Sequence, residues 1–398
     1  MQVVATSTTF LCTASTAVIG QGVKGTADVE DGRVAARTLA NGMALAISLG
    51  LLIGAGLYFT SGPLLIHAYH LTPGSEVYSL ARSYMNVRAL SVPAAFATLV
   101  SAGVAFGLGD ATMPLLAVAA AMVTNVCGDL LLIPRFGLTG AAVATAAAAW
   151  VGAASLVALL SARLRPTWRL PTLQELRPFV QTSAALLSGS LLCSLAYAAT
   201  TSVVAAGRSV VESASHQIAL QGWWLLSFAS VPLSLAGQSL LPPLARGNGQ
   251  SPRQSAWQMC RSLLALGAAV AVPLTAANWL LCTRLSMAVV ADMEVAATLR
   301  AIVLPATVAQ ATINVATALD GAYIGCGKLG HYVKVVGAAT LTLVAVSFRA
   351  VYTGRAGLAT AWLALASFSC VRAVAHLWAL PKLRDELLGP RPLTSVAV

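Results

Sequence analysis

The chain has 398 residues, of which 58% are hydrophobic and only 9% are charged, and its mean hydropathy is +0.79. A soluble protein carries about 25% charged residues, so this composition excludes a soluble domain and indicates a polytopic membrane protein. The formal net charge of +11 is explained by cytoplasmic loops that collect Lys and Arg, and no nucleic-acid partner is expected. The seven cysteines lie scattered in apolar segments without a C-x-x-C pair, which predicts neither a disulfide framework nor a metal site.

Apolar stretches long enough to cross a hydrocarbon core, about 20 residues each, recur along the whole chain. All are expected to be helices, because an open sheet cannot satisfy its backbone hydrogen bonds in lipid. The first stretch is short and rich in Thr and Ser. The spans are predicted near residues 1–20, 38–60, 84–107, 113–134, 137–161, 179–204, 214–241, 258–282, 298–323, 333–352 and 356–380.

The longest polar connection divides the spans into two lobes. If the loop after the first span is cytoplasmic, most basic residues, Arg372 and Lys382 among them, fall on the cytoplasmic side, which predicts a cytoplasmic C-terminus. The predicted domains are an N-terminal transmembrane lobe at 1–162, a cytoplasmic linker with a short interfacial helix at 163–178, a C-terminal lobe of six helices at 179–380 and a cytoplasmic tail at 381–398.

Two segments of the first lobe recur in the second lobe. The segment Arg88–Pro93 resembles Arg300–Pro305, and Gly140–Thr145 loosely resembles Gly357–Thr360. Internal repeats of this kind are common in secondary transporters, whose binding sites lie at the interface of the repeats. Because six spans follow the linker and only five precede it, the repeat predicts that the first lobe lacks its first helix.

An acidic residue, Asp129, lies inside the apolar run that begins near Met113, and Asn125 precedes it by one helical turn. On a helix the two side chains therefore share one face. A carboxylate at bilayer depth costs roughly 2.5–3.5 kcal/mol even on the lenient insertion scale, so it usually faces an interior or a watery cavity. From the residues alone, the pair is either the ion site of a transporter, which we favour, or a hydrogen-bond clamp between helices.

Further polar residues and prolines inside the spans are weaker candidates. Asp320 reads as a snorkelling or capping acid near the end of its span, or else as a substrate contact. Glutamines in apolar helices either contact a substrate or pack between helices, and prolines either act as hinges or reflect irregular packing. The candidates are Gln217, Gln221, Gln238 and Asp320 for a substrate pathway, and Pro93, Pro232 and Pro305 for hinges.

A series of short motifs runs in order over nearly the whole chain: Val4–Ser7, Arg88–Pro93, Gly107–Pro114, Asn125–Asp129, Gly137–Thr145, Ala214–Ile218, Pro232–Ser234 with Gln238, and Leu319–Gly325. Together they resemble the multidrug and toxic compound extrusion (MATE) family, most closely its plant plastid-type detoxification branch. The resemblance implies twelve helices in two six-helix lobes that export organic compounds by alternating access, in exchange for protons or sodium.

The resemblance also implies site residues. Asn125 and Asp129 fall on the cation site of the first lobe, and Thr145 falls close to a hydroxyl near that pair. A further Asp that the family often supplies from its first helix has no counterpart in this chain. A carboxylate held among apolar walls can load and release a proton, which would let the helices of the lobe repack.

The leading functional hypothesis is therefore an efflux carrier for small organic molecules that works as a monomer in the membrane lipid. It needs no cofactor beyond its coupling ion, H⁺ or Na⁺. The alternatives are a lipid-linked saccharide flippase of the same superfamily, which would need a basic cavity, and a truncated remnant that does not transport. No H-E-x-x-H, G-x-S-x-G or paired His–acid motif is visible within the spans, so no enzyme is expected. The sequence does not distinguish the plastid envelope from the plasma or vacuolar membrane.

Overall fold

The computed structural model describes residues 12–16, 19, 29–67, 72–169, 171–207, 209–246, 250–285, 290 and 292–389. Every regular element within these residues is a helix, so the all-α prediction is confirmed. In the part of the chain that the structure describes, eight helices, or nine if one bent pair counts as a span, are long and apolar enough to cross a membrane. The chain divides into two compact units, which lie within Thr8–Ser183 and Ala184–Val398.

The helices of the first unit cover the predicted spans, except that the span predicted at 84–107 is divided between two shorter helices. Most of the first predicted span lies outside the described residues, but residues 12–16 are helical, and the Thr16 hydroxyl donates to the Gly103 carbonyl oxygen at 3.0 Å. The helices are α1 (Val29–His67), α2 (Glu76–Ala89), α3 (Val92–Gly107) and α4 (Thr112–Leu164).

Helix α4 contains two predicted spans that fold back on each other. Its backbone turns at Gly137, whose φ of 54° and ψ of −133° are open to glycine and strained for other residues. A Cβ atom added at Gly128 would lie 2.7 Å from the Ala144 Cβ, and one added at Gly140 would lie 2.4 Å from the Leu132 oxygen. Because these partners follow each other in reverse order, the two arms of α4 are antiparallel, as the two predicted spans require.

A capping box starts the next helix, α5 (Leu173–Ala206). The Thr172 backbone N–H donates to Glu175 Oε2 at 3.0 Å, and the Glu175 N–H donates to the Thr172 hydroxyl oxygen at 3.4 Å. The short interfacial helix predicted within the linker is instead the beginning of α5, because the capping box opens a helix that the following apolar run continues. The predicted domain boundaries themselves stay a prediction.

The second unit contains the remaining helices. Two short 3₁₀ segments, Phe228–Ser230 and Arg300–Ile302, each lead directly into a long helix. The last helix ends at Leu388 rather than at residue 380, because Leu383 and Leu387 are buried in the core of the unit. The helices are α6 (Val210–Ser227), α7 (Val231–Arg246), α8 (Gln250–Leu280), continued by a π-helical turn Leu281–Leu285, α9 (Met293–Leu299), α10 (Val303–Gly325), α11 (Leu329–Tyr352) and α12 (Leu358–Leu388).

Each unit has its own buried apolar core. In the first unit the core residues include Leu39, Val104, Leu156 and Leu160. In the second unit they include Trp223, Trp362, Phe368 and Leu365. These buried apolar clusters stabilise the unit in which each of them lies.

The repeated motif lies at a helix break in both units. In the first unit it spans the 43° bend between α2 and α3, and in the second it covers the 3₁₀ segment before α10. Pro93 and Pro305 both fall in the first turn of the following helix, and Pro232 does the same in α7. Proline is tolerated there because its missing N–H would have no partner within the helix. These breaks are consistent with the predicted repeat, whereas a hinge role for the prolines stays a prediction.

Glycines bring α7 and α10 into backbone contact. A Cβ atom added at Gly321 would lie 2.3 Å from the Ser234 oxygen, and one added at Gly325 would lie 2.2 Å from the Gly237 oxygen. Small residues at helix interfaces allow this close approach, which supplies the packing that associates helices in lipid.

We expect Gly321→Ala to push α7 and α10 apart and to destabilise the chain by about 1–3 kcal/mol, the usual effect of overpacking. A matched control is Gly330→Ala in α11, where a Cβ atom would meet nothing within 4 Å. Thermal unfolding in detergent, followed by the loss of the monodisperse species, compares the two variants. Equal midpoints for both variants would contradict the proposed contact.

Candidate functional site

The first candidate site lies on the first arm of α4. Asn125 Nδ2 donates a hydrogen bond of 2.6 Å to Asp129 Oδ2. The other carboxylate oxygen, Oδ1, is buried and has no hydrogen-bond partner among the described residues. A buried acceptor without a partner costs about 1–3 kcal/mol, so this oxygen is open to a hydrogen-bond donor.

Thr145 lies on the second arm of α4 at the level of this pair, because it follows Ala144, which packs against Gly128. Its hydroxyl donates to the Ala141 carbonyl oxygen at 2.9 Å. The Thr145 hydroxyl is therefore engaged with its own helix rather than with Asp129.

The alternative of a clamp between helices requires a hydrogen bond from Asp129 to another helix. The bond that the structure shows joins Asp129 to Asn125 on the same arm. Within the described part of the chain, this bond lies within one arm of α4 and does not join two helices, and the ion-site interpretation of the pair stays a prediction.

A second carboxylate near the same helix has a different environment. Asp110 precedes α4, and its Oδ1 accepts a hydrogen bond from the Thr112 N–H at 2.9 Å. Its Oδ2 forms an ion pair with Arg163 at 2.7 Å, at the other end of α4. This pair joins the two ends of the folded-back helix, so Asp110 has a structural explanation that Asp129 lacks.

The three candidate glutamines divide into two groups. Gln217 and Gln221 lie one turn apart on α6, and both are exposed on the surface of the second unit. Gln238 is buried and donates to the Ser234 hydroxyl oxygen at 3.1 Å. Gln238 thus lies in the interior of its unit, whereas the first two lie where a ligand or lipid could reach them, and a substrate role for all three stays a prediction.

Asp320 is buried rather than snorkelling to the end of its span. It is 6% exposed and forms an ion pair with Arg372, and its Oδ1 lies 2.8 Å from His376 Nε2. The snorkelling interpretation is therefore wrong, because two cationic or polar partners from α12 enclose the carboxylate inside the unit.

Two further expectations are corrected by the same cluster. Arg372, which the charge pattern assigned to the cytoplasmic side, is 5% exposed and pairs with Asp320 inside the unit. A His–acid pair does exist within the spans, since His376 and Asp320 are 56 residues apart in the sequence and meet only in the fold. A local motif search cannot find such a pair.

One sequence signal could have identified these residues. Arg372 and His376 lie one helical turn apart in an otherwise apolar span, so they share a face of α12. Ionisable residues within a span usually face the interior and pair with each other, which predicts a buried acidic partner for this face.

Comparison with known proteins gives the family context. The MatE family model matches residues 2–131 of this chain. Protein DETOXIFICATION 44, chloroplastic, from Arabidopsis thaliana is 27% identical over 312 residues, which cover 75% of this chain and 57% of the relative. Protein DETOXIFICATION 43 from the same plant is 27% identical over 341 residues, which cover 83% of this chain and 62% of the relative. The chain thus spans about three-fifths of the length of these curated relatives.

The fold is also found among solved structures. The crystal structure of MATE in complex with MaL6 matches with a TM-score of 0.78, over 97% of this chain and 86% of that chain, at 16% sequence identity. At this identity the likeness shows the fold alone. Together with the apolar helices, these relatives show an integral multi-pass membrane protein, and the resemblance seen in the sequence motifs is confirmed.

Proposed function

We propose, on the premise that this chain is a relative of the MATE transporters, that it is a secondary active transporter exporting small organic compounds in exchange for protons. The observation that supports this proposal most is the carboxylate of Asp129, which has one oxygen bound by Asn125 and the other buried without a partner. Such a group loses its charge when it binds a proton.

Proton binding at Asp129 would couple to transport through the charge of the first unit. The protonated carboxyl is neutral and can donate a hydrogen bond, so the helices around it prefer a different packing from the charged form. Substrate binding would favour the other packing, and alternating access follows from the competition between the two.

The proton is favoured over sodium as the coupling ion because of the ligands available. Hard metal cations take several oxygen ligands, about six for a cation such as Mg²⁺. Among the described residues, Asn125 turns its amide nitrogen, which cannot ligate a cation, toward the carboxylate. One proton neutralises the Asp129 carboxylate without further ligands.

One arginine side chain of the first unit favours an anionic cargo. Arg88 lies in the last turn of α2, and its Nε and Nη1 atoms are buried without a partner among the described residues. A guanidinium offers several donors in a planar fork that suits carboxylates and phosphates. An organic anion would satisfy these donors, whereas a cationic dye would be repelled.

Proteoliposomes containing the full chain test the proposal. We expect an outward-directed substrate flux of organic anions when a pH gradient is imposed, and no such flux under a sodium gradient alone. A cationic dye and a fluorescent lipid-linked saccharide in parallel vesicles test the other cargo class and the flippase alternative. Substrate movement that ignores both ion gradients would contradict a secondary active transporter.

A further inference from the structure

The second unit contains a continuous network of hydrogen-bonded ionisable side chains that the proposed function at Asp129 does not use. His331 Nε2 lies 3.2 Å from His376 Nδ1, and His376 Nε2 lies 2.8 Å from Asp320 Oδ1. The two outer members differ in burial, since Asp320 is 6% exposed and His331 is half-buried. The network therefore runs from the surface of the unit into its interior.

The outer end of this network lies where exposed charged residues occur, at the start of α11 and near the end of α12. His331 belongs to the first turn of α11, three residues after Lys328. Lys328 forms an exposed ion pair of 2.7 Å with Glu386 near the end of α12. Exposed ionised side chains require water, so protons reach the network at its His331 end.

Tyr323 holds the two imidazoles in line. Its ring centroid lies 4.3 Å from that of His331 and 4.9 Å from that of His376, with an interplanar angle of 24° in the second case. Its hydroxyl donates to the His376 carbonyl oxygen at 2.8 Å. The tyrosine therefore fixes the two imidazole rings by stacking, and its hydroxyl is not part of the network.

We propose that His331 and His376 form a proton pathway to the buried ion pair of Asp320 and Arg372, so that the second unit binds a proton of its own. Imidazole suits this role because one ring nitrogen accepts a proton while the other donates one. This inference does not rest on the proposed function of Asp129, which lies in the first unit.

The proton transfer balances along the three side chains. In the starting state His331 Nε2–H donates to His376 Nδ1, and His376 Nε2–H donates to Asp320 Oδ1. A proton from water binds His331 Nδ1, the Nε2 proton of His331 moves to His376, and the Nε2 proton of His376 moves to Asp320. Each hydrogen bond then runs in the opposite direction, and the cluster has gained one proton.

The gained proton changes the charge of the interior. Asp320 and Arg372 together are neutral before uptake, and the cluster carries one positive charge afterwards. A buried net charge is costly unless a counter-ion or water pairs with it. Proton uptake therefore favours a conformation of the second unit in which the cluster meets water or an anion, which is the kind of bias that transport needs.

Other ionisable groups face the cluster from the neighbouring helices and belong to the same electrostatic environment. Around Asp320 and Arg372 lie Cys193 and Tyr197 on α5 and Tyr332 on α11. Around His331 lie Lys382 and Glu386 on α12. Around Tyr323 lie Cys260 on α8, Cys326 at the end of α10 and Glu386.

Nitrogen-15 NMR of the full chain with labelled histidines tests the inference without any transport assay. The chain has five histidines, so single His→Gln variants can assign each imidazole signal. We expect the signals of His331 and His376 to change together as the pH is varied through the physiological range, because one hydrogen bond joins the two rings. An unchanged protonation state of His376 over that whole range would overturn the inference.

The His331→Gln variant tests the pathway itself. Because His331 lies at the half-exposed end, this variant is expected to fold, and proton exchange at His376 should slow by on the order of a hundredfold, as when a positioned acid–base group is removed. The control is His216→Gln, since His216 belongs to the same unit but lies beside Thr201, 3.3 Å away. An unchanged exchange rate in His331→Gln, or an equal loss in both variants, would refute the pathway.

Discussion

Replacing Asp129 with asparagine is expected to reduce pH-driven exchange by on the order of a hundredfold or more, as loss of a proton-transferring group does. The amide has nearly the same shape and can still bond Asn125, but it cannot gain or lose a proton. The unfolding midpoint should therefore stay close to that of the unchanged chain. Initial rates of substrate efflux under an imposed pH gradient measure the effect.

The matched control for this variant is Asp110→Asn, which makes the same substitution beside the same helix. Asp110 caps the start of α4 and pairs with half-exposed Arg163. Asparagine caps helices as well as aspartate does, and a surface ion pair contributes only about 0–1 kcal/mol. Full exchange by Asp129→Asn, or equal losses in both variants, would remove Asp129 from the coupling mechanism.

Replacing Arg372 with methionine is expected to destabilise the second unit by about 3–5 kcal/mol, because it leaves the buried carboxylate of Asp320 without its main counter-ion. His376 remains beside the carboxylate but already bonds His331 through its other ring nitrogen. The apparent unfolding midpoint in detergent should fall well below that of the unchanged chain.

The double variant Asp320→Leu with Arg372→Met separates burial of a charge from loss of a contact. Replacing both members of a buried ion pair with apolar residues is often neutral, because no uncompensated charge remains. We therefore expect the double variant to recover most of the stability that Arg372→Met loses. A double variant as unstable as the single one would show that packing, not charge, governs this position.

The helices and their order could be predicted from the sequence because lipid leaves few structural choices to an apolar chain. The hairpin at Gly137 corresponds to two predicted spans, and the repeated motif lies at a helix break in both units. Helix ends were less predictable, since Leu383 and Leu387 extend α12 through contacts with residues far away in sequence.

The two sites differ in how much of them the sequence contains. Asn125 and Asp129 are one turn apart, so their hydrogen bond follows from helix geometry. The ion pair of Asp320 and Arg372 depends on the packing of α10 against α12, and the spacing of Arg372 and His376 on α12 does not identify Asp320 as the partner. A charge count places Arg372 on the cytoplasmic side because it treats every basic residue as belonging to a loop.

The most direct test of the central claim records proton entry and substrate exit in the same vesicles, with a pH-sensitive dye enclosed and the full chain reconstituted. Proton-coupled export predicts that protons enter as organic anions leave, and that both fluxes stop together in Asp129→Asn. Substrate leaving without proton entry, or an Asp129→Asn chain that exchanges as fast as the unchanged one, would contradict it.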